Sequence, residues 1–370
     1  MKKIPLLCLM WFVGCISLLA SLARSDVVDD YLRAEIEKRH CPGLALAVIQ
    51  AGKVVKLAGY GLANVEHAIP ATPKTVFQIQ SVTKQFVATA IMMLVEEGKV
   101  SLDAKVSDYL SGAAVSWEKI TVRRLLTHTS GIKDFINEPT ASLRLEVTGE
   151  EVLKETAKRP LNFQPGEKYA YSNSNYHLLA MILRKVTGMS YSDFLGERVF
   201  EPLGMSSTRL MSWSEVIPNR AAGYRWQTNQ LSNGQFVAGS ILAYGGGGLL
   251  STAEDMAKWD LALRGEKLLK RATLEQMWAP TTLNDGSISN YGFGWGVGGK
   301  KPHRSVQHSG SHITGFTSYI VRFLDHDLSV IVLANAGHAN PGTIAQAIAG
   351  LYVPALAPAA PRKAIEDKKE

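Results

Sequence analysis

Apolar and polar positions change rhythm twice along this chain. GLALAVIQAGKVVKLAGYG (43–61) holds two apolar runs broken at Ala51-Gly52-Lys53, the pattern of a β-hairpin. The charged, amphipathic segment from Asp26 to His40 precedes it and predicts a first helix. From about Ser81 to Lys270 helical periodicity takes over, as in Gly149 to Lys158, Asn175 to Val186 and Ser190 to Val199, each bounded by Gly, Pro or Ser. Strand signals then return in YGFGWGV, in SVQHSG, and in the pair GFTSYIVRF and LSVIVLANA, which LDHD separates.

Strands near both ends with helices between them predict a mixed α/β fold. One antiparallel sheet would be flanked by helices and built from residues of about 24–80 and 285–353, with a mostly helical region inserted at about 81–284. A functional site is expected in the cleft between the two parts. The tail 354–370, rich in Pro and Ala and then charged, reads as disordered.

The first 26 residues set a different expectation. Lys2 and Lys3 precede an apolar run from Ile4 to about Leu22, and the small residues Ser21 and Ala23 suit cleavage after Ala23. Residues 1–23 therefore read as a secretory signal peptide and the product as periplasmic or secreted, without stable membrane association. The alternative is a membrane anchor formed by the same segment. Phe12 ill suits lipidation at Cys15, and cleavage would leave Cys41 as the one cysteine, unable to form an internal disulfide.

At 370 residues and 46% hydrophobic content the chain can bury a large core. The net charge of +7 falls to +5 without the two leader lysines, and no dense run of Lys and Arg alternates with aromatics, so nucleic acid is not an expected partner.

The chemistry begins in FQIQSVTKQFVATAIMMLVEEGK (77–99). Val82 to Glu97 is apolar on nearly every side and Gly98 is placed to stop it, so a centrally buried helix is predicted. Ser81 and Lys84 share the face of its first turn. Desolvation and the positive end of the helix dipole both lower the pKa of an amine there, so Lys84 could serve as base toward Ser81, and nearby backbone N–H groups could stabilise an oxyanion. Ser-x-x-Lys is a short motif, and Ser81 could equally be a plain N-cap.

Other signals carry less. GWGVGG (294–299) leads into KKPH rather than a helix, which argues against dinucleotide binding, and GGGG (245–248) lacks the Gly-Lys-Ser/Thr of a phosphate loop. Those glycines suit a backbone passing close beside a cleft. His303, His308 and His312 lack metal-ligand spacing. His128 reads as a hydrogen-bonded structural residue. Trp213, Trp226, Trp259 and Trp295 read as core, except that those in the loop 211–235 could line the mouth of a site.

Two further stretches extend the pattern: Tyr171-Ser172-Asn173 ahead of a helix, and His308-Ser309-Gly310 on a strand. The order Ser-x-x-Lys, Tyr-x-Asn, His-x-Gly resembles the serine beta-lactamase and penicillin-binding protein superfamily. Within it, the branch of class C beta-lactamases, D-alanyl-D-alanine carboxypeptidases, D-aminopeptidases and family VIII esterases is the most similar. Collinear secondary resemblances run from GYGLANVEH (59–67) through LLTHTSGI, FQPGEKYAYSN, VFEPLGMSST and GGGGLLSTAEDMAKW to VIVLANAG (330–337).

The resemblance implies a serine hydrolase without metal or organic cofactor, acting on a small-molecule or peptide substrate. Ser81 would be the acylated nucleophile, Lys84 its proton partner, and Tyr171 a relay to Ser81 and the leaving group. Asn173 would orient Lys84 and the substrate, His308 and Gly310 belong to the substrate-binding motif, and the backbone N–H groups of Ser81 and Ser311 would form the oxyanion hole. Two departures stand out: Gln80, where relatives carry a small residue, and His308, where many carry lysine. A charged His308 would hold a substrate carboxylate and lose it as pH rises through its pKa, nominally about 6.5. Small esters and D-amino-acid peptides are the leading substrate classes, with a dedicated beta-lactamase or a non-catalytic peptidoglycan- or protein-binding module as alternatives.

Overall fold

The computed structural model describes residues 27–136 and 143–358. The leader 1–23 and residues 359–370 of the tail lie outside them, while Pro354–Leu356, read from sequence as part of a disordered tail, form a 3₁₀ turn with Leu356 buried against the C-terminal helix. Among the described residues no helix is long and apolar enough to cross a membrane.

The protein is built on a seven-stranded antiparallel sheet. In chain order its strands are β1 (Gly43–Gln50), β2 (Lys53–Asn64), β3 (Ile69–Pro70), β4 (Gly296–Gly298), β5 (Ser305–His312), β6 (Phe316–Phe323) and β7 (Leu328–Ala334). Their spatial order is β4-β5-β6-β7-β1-β2-β3, so the N-terminal hairpin joins the C-terminal meander through β1 and β7, with Leu44 opposite Ala334. The β1–β2 turn falls at Ala51-Gly52, both with positive φ.

Alternation along β1 explains its continuous apolar run. Leu44, Leu46 and Val48 face one side, where Val28 and Leu32 of the first helix, α1 (27–38), pack with Ile344 and Ile348 of a C-terminal helix (Pro341–Tyr352). Ala45, Ala47 and Ile49 face the other side and the inserted region. A sheet covered on both faces needs apolar side chains at both parities.

The centre of the inserted region is α2 (Thr83–Glu96), of which all residues from Thr83 to Leu94 are buried. Each large apolar side chain removed from water there contributes roughly 1.5–3 kcal/mol. Gly98, with φ +69°, ends it as the left-handed residue such an ending requires. A second helix, α3 (Asn173–Thr187), packs against α2.

The insertion departs from the predicted helical pattern in two places. Ser190 to Val199 is divided into a helix at Tyr191–Leu195 and a wider π turn at Gly196–Phe200. It also contains short strands, of which Leu249–Ser251 pairs with Phe77–Gln78 on one side and Arg209–Leu210 on the other. That small sheet ties the glycine run 245–248 to the segment leading into Ser81.

Candidate active site

The residues before Ser81 fix its presentation. Gln80–Val82 form one turn of 3₁₀ helix feeding α2, and Gln80 is buried with φ +50°, a strained conformation for a residue with a side chain. A closed set of hydrogen bonds holds it. Gln80 Nε2 donates to Gln78 Oε1 at 2.8 Å and to Thr314 Oγ1 at 3.0 Å, and Thr314 Oγ1 donates to Gln78 Oε1 at 2.8 Å. Ser318 of β6 adds a hydrogen bond to the Ile79 carbonyl at 2.6 Å. The large residue that sequence marked as a departure is thus part of the mount for Ser81.

Lys84 is fully buried one turn on. Its Nζ lies 2.7 Å from the Gly246 carbonyl, 2.8 Å from Asn173 Oδ1 and 3.2 Å from Ser81 Oγ. Burial pushes the amine down to about 7, and the Asp134 carboxylate pulls part of the way back. The orientation of the Asn173 amide is set by its Nδ2, which donates to Asp134 Oδ2 at 2.9 Å, so Oδ1 faces Lys84 as an acceptor. A neutral amine has two hydrogens, and two of its three neighbours can only accept. Its lone pair is left for the Ser81 hydroxyl.

Gly246 reaches this position because it has no side chain. A Cβ there would stand 3.1 Å from Asn173 Oδ1 and 3.3 Å from Lys84 Nζ, and one on Gly245 would lie 2.6 Å from the Tyr176 carbonyl. The close passage expected of the glycine run is what the structure contains.

Tyr171 precedes α3, whose N-cap is Ser172. The residue as a whole is 36% exposed, its hydroxyl is hydrogen-bonded with Ser81, and burial raises the phenol well above its usual range while that hydrogen bond opposes this. The Lys84 amine sits 4.7 Å from the ring centroid. His128 supports the same ring at 4.4 Å between centroids, and its Nδ1 accepts from the Ser172 backbone N–H at 3.2 Å. Burial, with the nearby Lys84 and His308, keeps His128 well below the usual histidine range, so it is a neutral support, as sequence suggested.

The third motif lies on β5. Ser311 lines the pocket together with Ser81, Tyr171 and Asn173, whereas His308 and Gly310 stand behind its wall. A Cβ on Gly310 would meet the Ile79 carbonyl at 2.3 Å, so the glycine lets β5 approach the turn carrying Ser81. His308 is buried, its Nε2 2.8 Å from the Tyr291 hydroxyl. Burial, then the Lys84 charge, push its pKa down to about 3. The expectation of a cationic His308 titrating near 6.5 is therefore replaced by a neutral imidazole, for the same desolvation that lowers Lys84.

The pocket has a volume of about 170 Å³ and is completed by Gln80, Phe135, Ile136, Ile241, Tyr244, Gly246, Gly247 and His312. Two larger clefts, of about 1010 and 990 Å³, lie away from Ser81. Among the described residues the pocket lining includes no arginine or lysine; Lys84 lies behind it, in contact with Ser81, Asn173, Gly246 and Tyr171. Sequence reasoning gave no role to Asp134, to Tyr291 at the start of YGFGWGV, or to the apolar wall of Phe135, Ile136 and Ile241, the last of these on the short helix Gly239–Ala243. Neither Trp213 nor Trp226 lines the mouth: Trp213 packs on Phe236 and Trp226 stacks on His40.

Fold and site together are those of the beta-lactamase and transpeptidase-like proteins. The chain belongs to the Beta-lactamase family, whose sequence profile matches residues 28–353. It is 30% identical over 316 residues to Penicillin-binding protein 4* of Bacillus subtilis (strain 168), covering 81% of this chain and 69% of that one. Other curated relatives are spanned over 61 to 62% of their length. Among solved structures, the octameric penicillin-binding protein homologue from Pyrococcus abyssi matches with TM-score 0.77 and 30% identity, over 89% of this chain and 77% of that one. A D-amino acid amidase from Ochrobactrum anthropi SV3 matches with TM-score 0.73 and 26% identity, over 84% and 91%.

Proposed function

We propose that this protein is an exported serine hydrolase that cleaves small esters and amides through an acyl-enzyme on Ser81. The observation that carries this reading is the hydrogen-bonding of Lys84, whose two acceptor partners leave its lone pair to Ser81. Neutral Lys84 takes the Ser81 proton as Oγ attacks the substrate carbonyl, and the Ser81 and Ser311 backbone N–H groups receive the oxyanion. Tyr171, a neutral phenol at rest, gives its proton to the leaving group as the carbonyl–heteroatom bond breaks and takes back the one held by Lys84, which is left neutral again. Water, deprotonated by the same groups, then releases the acid and restores Ser81. The signal-like residues 1–23 support export.

The pocket favours substrates without a carboxylate. No permanent cation lines it among the described residues, His308 is neutral, and Asp134 places negative charge beside Asn173. An anionic group entering there would lose hydration without a partner. Neutral esters come first on this ground. Amino-acid amides, which also lack a carboxylate, come second.

A panel of p-nitrophenyl esters, D-alanine amide, a D-alanyl-D-alanine peptide and a chromogenic cephalosporin tests the proposal. The ester kcat/KM is expected to exceed that of either carboxylate-bearing substrate by about hundredfold, the scale of an unpaired buried charge. Faster turnover of the cephalosporin would make the protein a dedicated beta-lactamase. Absence of both turnover and fluorophosphonate labelling would leave a binding module.

A further inference from the structure

The cleft of about 990 Å³ lies at the opposite end of β5 from the pocket. It is lined by Val306 of that strand, whereas the pocket is lined by Ser311. The intervening residues put roughly 17 Å of strand between them. Its other walls are the helix Arg271–Met277 with Trp278, the turn 298–301, and the ends of β6 and β7.

Charge and hydrogen bonding define what would fit. Arg264, Arg271, Lys300, Lys301, Arg304 and Arg322 line this cleft. The carboxylates that answer them are four. Asp260 lies 3.1 Å from Arg264 and 2.8 Å from Arg322, Glu275 lies 3.0 Å from Arg271, Asp325 lies 2.6 Å from Arg304, and Asp327 pairs with Arg264. Two positive charges are left over.

Two buried side chains, Arg322 at 5% exposure and Trp278 at 6%, also contribute to the lining, and Arg322 Nε lies 2.8 Å from Asp260 Oδ1. The two are stacked, with the Arg322 guanidinium 4.9 Å from the Trp278 ring centroid. Guanidinium, ammonium and indole N–H groups are donors only, so a ligand held in this cleft must bring acceptors.

We infer that this cleft binds a phosphate group. A phosphate dianion matches the two excess charges, and its several acceptor oxygens suit donors that arrive from a helix, a turn and a strand, where a planar carboxylate brings one charge and two oxygens. The group is either free phosphate or the phosphate of a larger anionic chain.

Isothermal titration of the full-length protein at fixed ionic strength tests this, with inorganic phosphate in one arm, polyphosphate in the second and sodium chloride as the blank. Saturable phosphate binding is expected. It should weaken at least about tenfold in the double variant Arg271→Gln/Lys300→Gln, which removes two charges from the exposed rim. The same variant should keep its ester turnover and melting temperature, which separates this site from the chemistry at Ser81. Polyphosphate bound much more tightly than phosphate would identify a polymer-borne group, and equal binding per phosphate a free one; either supports the site. No saturable heat with phosphate beyond the blank, or binding undiminished in the folded double variant, would overturn it.

Discussion

The two ends of β5 handle positive charge in opposite ways. At the Ser311 end, Lys84 is buried and its amine is pushed down to about 7, so that it serves as a proton acceptor. At the Ser305 end, six cations line a larger cleft, where four carboxylates balance most of them and the rest remains as net charge. Burial and residue type decide together: the buried Lys84 amine is pushed down far enough to give up its proton, whereas Arg322, also buried and also lowered by burial, keeps its charge because a guanidinium starts far higher.

The comparison fails most severely at the nucleophile. Ser81→Ala should lower kcat/KM for a p-nitrophenyl ester by at least about ten-thousandfold and abolish fluorophosphonate labelling, since Ser81 is the hydroxyl facing the Lys84 lone pair. Labelling of a different serine, mapped by peptide mass, would refute the assignment.

Lys84→Ala should slow acylation by about hundredfold or more, the scale of a lost general base. Single-turnover acylation at a near-normal rate would remove Lys84 from that role. Tyr171→Phe keeps the ring against His128 and takes only the oxygen, so turnover should drop about tenfold to hundredfold with little change in melting temperature. A large loss of stability with normal turnover would make Tyr171 structural.

The pH profile sharpens the contrast further. Lys84 acts when unprotonated, so kcat/KM for a neutral ester should fall about tenfold per pH unit below about 7 and level off above it. His308, pushed down to about 3, stays neutral through this range and should add no step. A profile in which His308→Asn moves the limb near 7 would reassign it to the imidazole. The smallest effect belongs to the other end of the strand: Arg271→Gln/Lys300→Gln should leave ester kcat/KM within about twofold, as expected for surface substitutions remote from the chemistry.

Much of the site was legible because its elements have local signatures. Ser81 lies in the turn that feeds α2 and Lys84 in its first turn, so their spacing puts them side by side, while Tyr171 and Asn173 flank the N-cap of α3 and were singled out by the resemblance of their motif. The apolar runs of β1 and β7 announced strands, and the packing of both parities against helices was seen only in the fold. Asp134 and Tyr291 left no such trace, and the glycine run announced a close backbone passage but not the Gly246 carbonyl as a partner of Lys84. Each acts through a contact across the fold, from Asp134 to Asn173, from Tyr291 to His308 and from the Gly246 carbonyl to Lys84. The hybrid character of the insertion was also hidden, because strands of two or three residues are shorter than any periodic signal.

By itself the sequence determined the antiparallel sheet shared between two ends of the chain, the buried helix, and the placing of Ser81 and Lys84 on one helical turn, which follow from periodicity and residue type. The wider set of groups proposed for the acyl-enzyme chemistry came from the resemblance of the three motifs to a known family. Tertiary structure decided which of those groups carry charge. It neutralised His308, which sequence had left as a cation near its ordinary pKa, and it set the Lys84 amine near 7 by enclosing it between Asn173 and Gly246. Solvation depends on everything that packs around a group, so no short stretch of sequence could have fixed it.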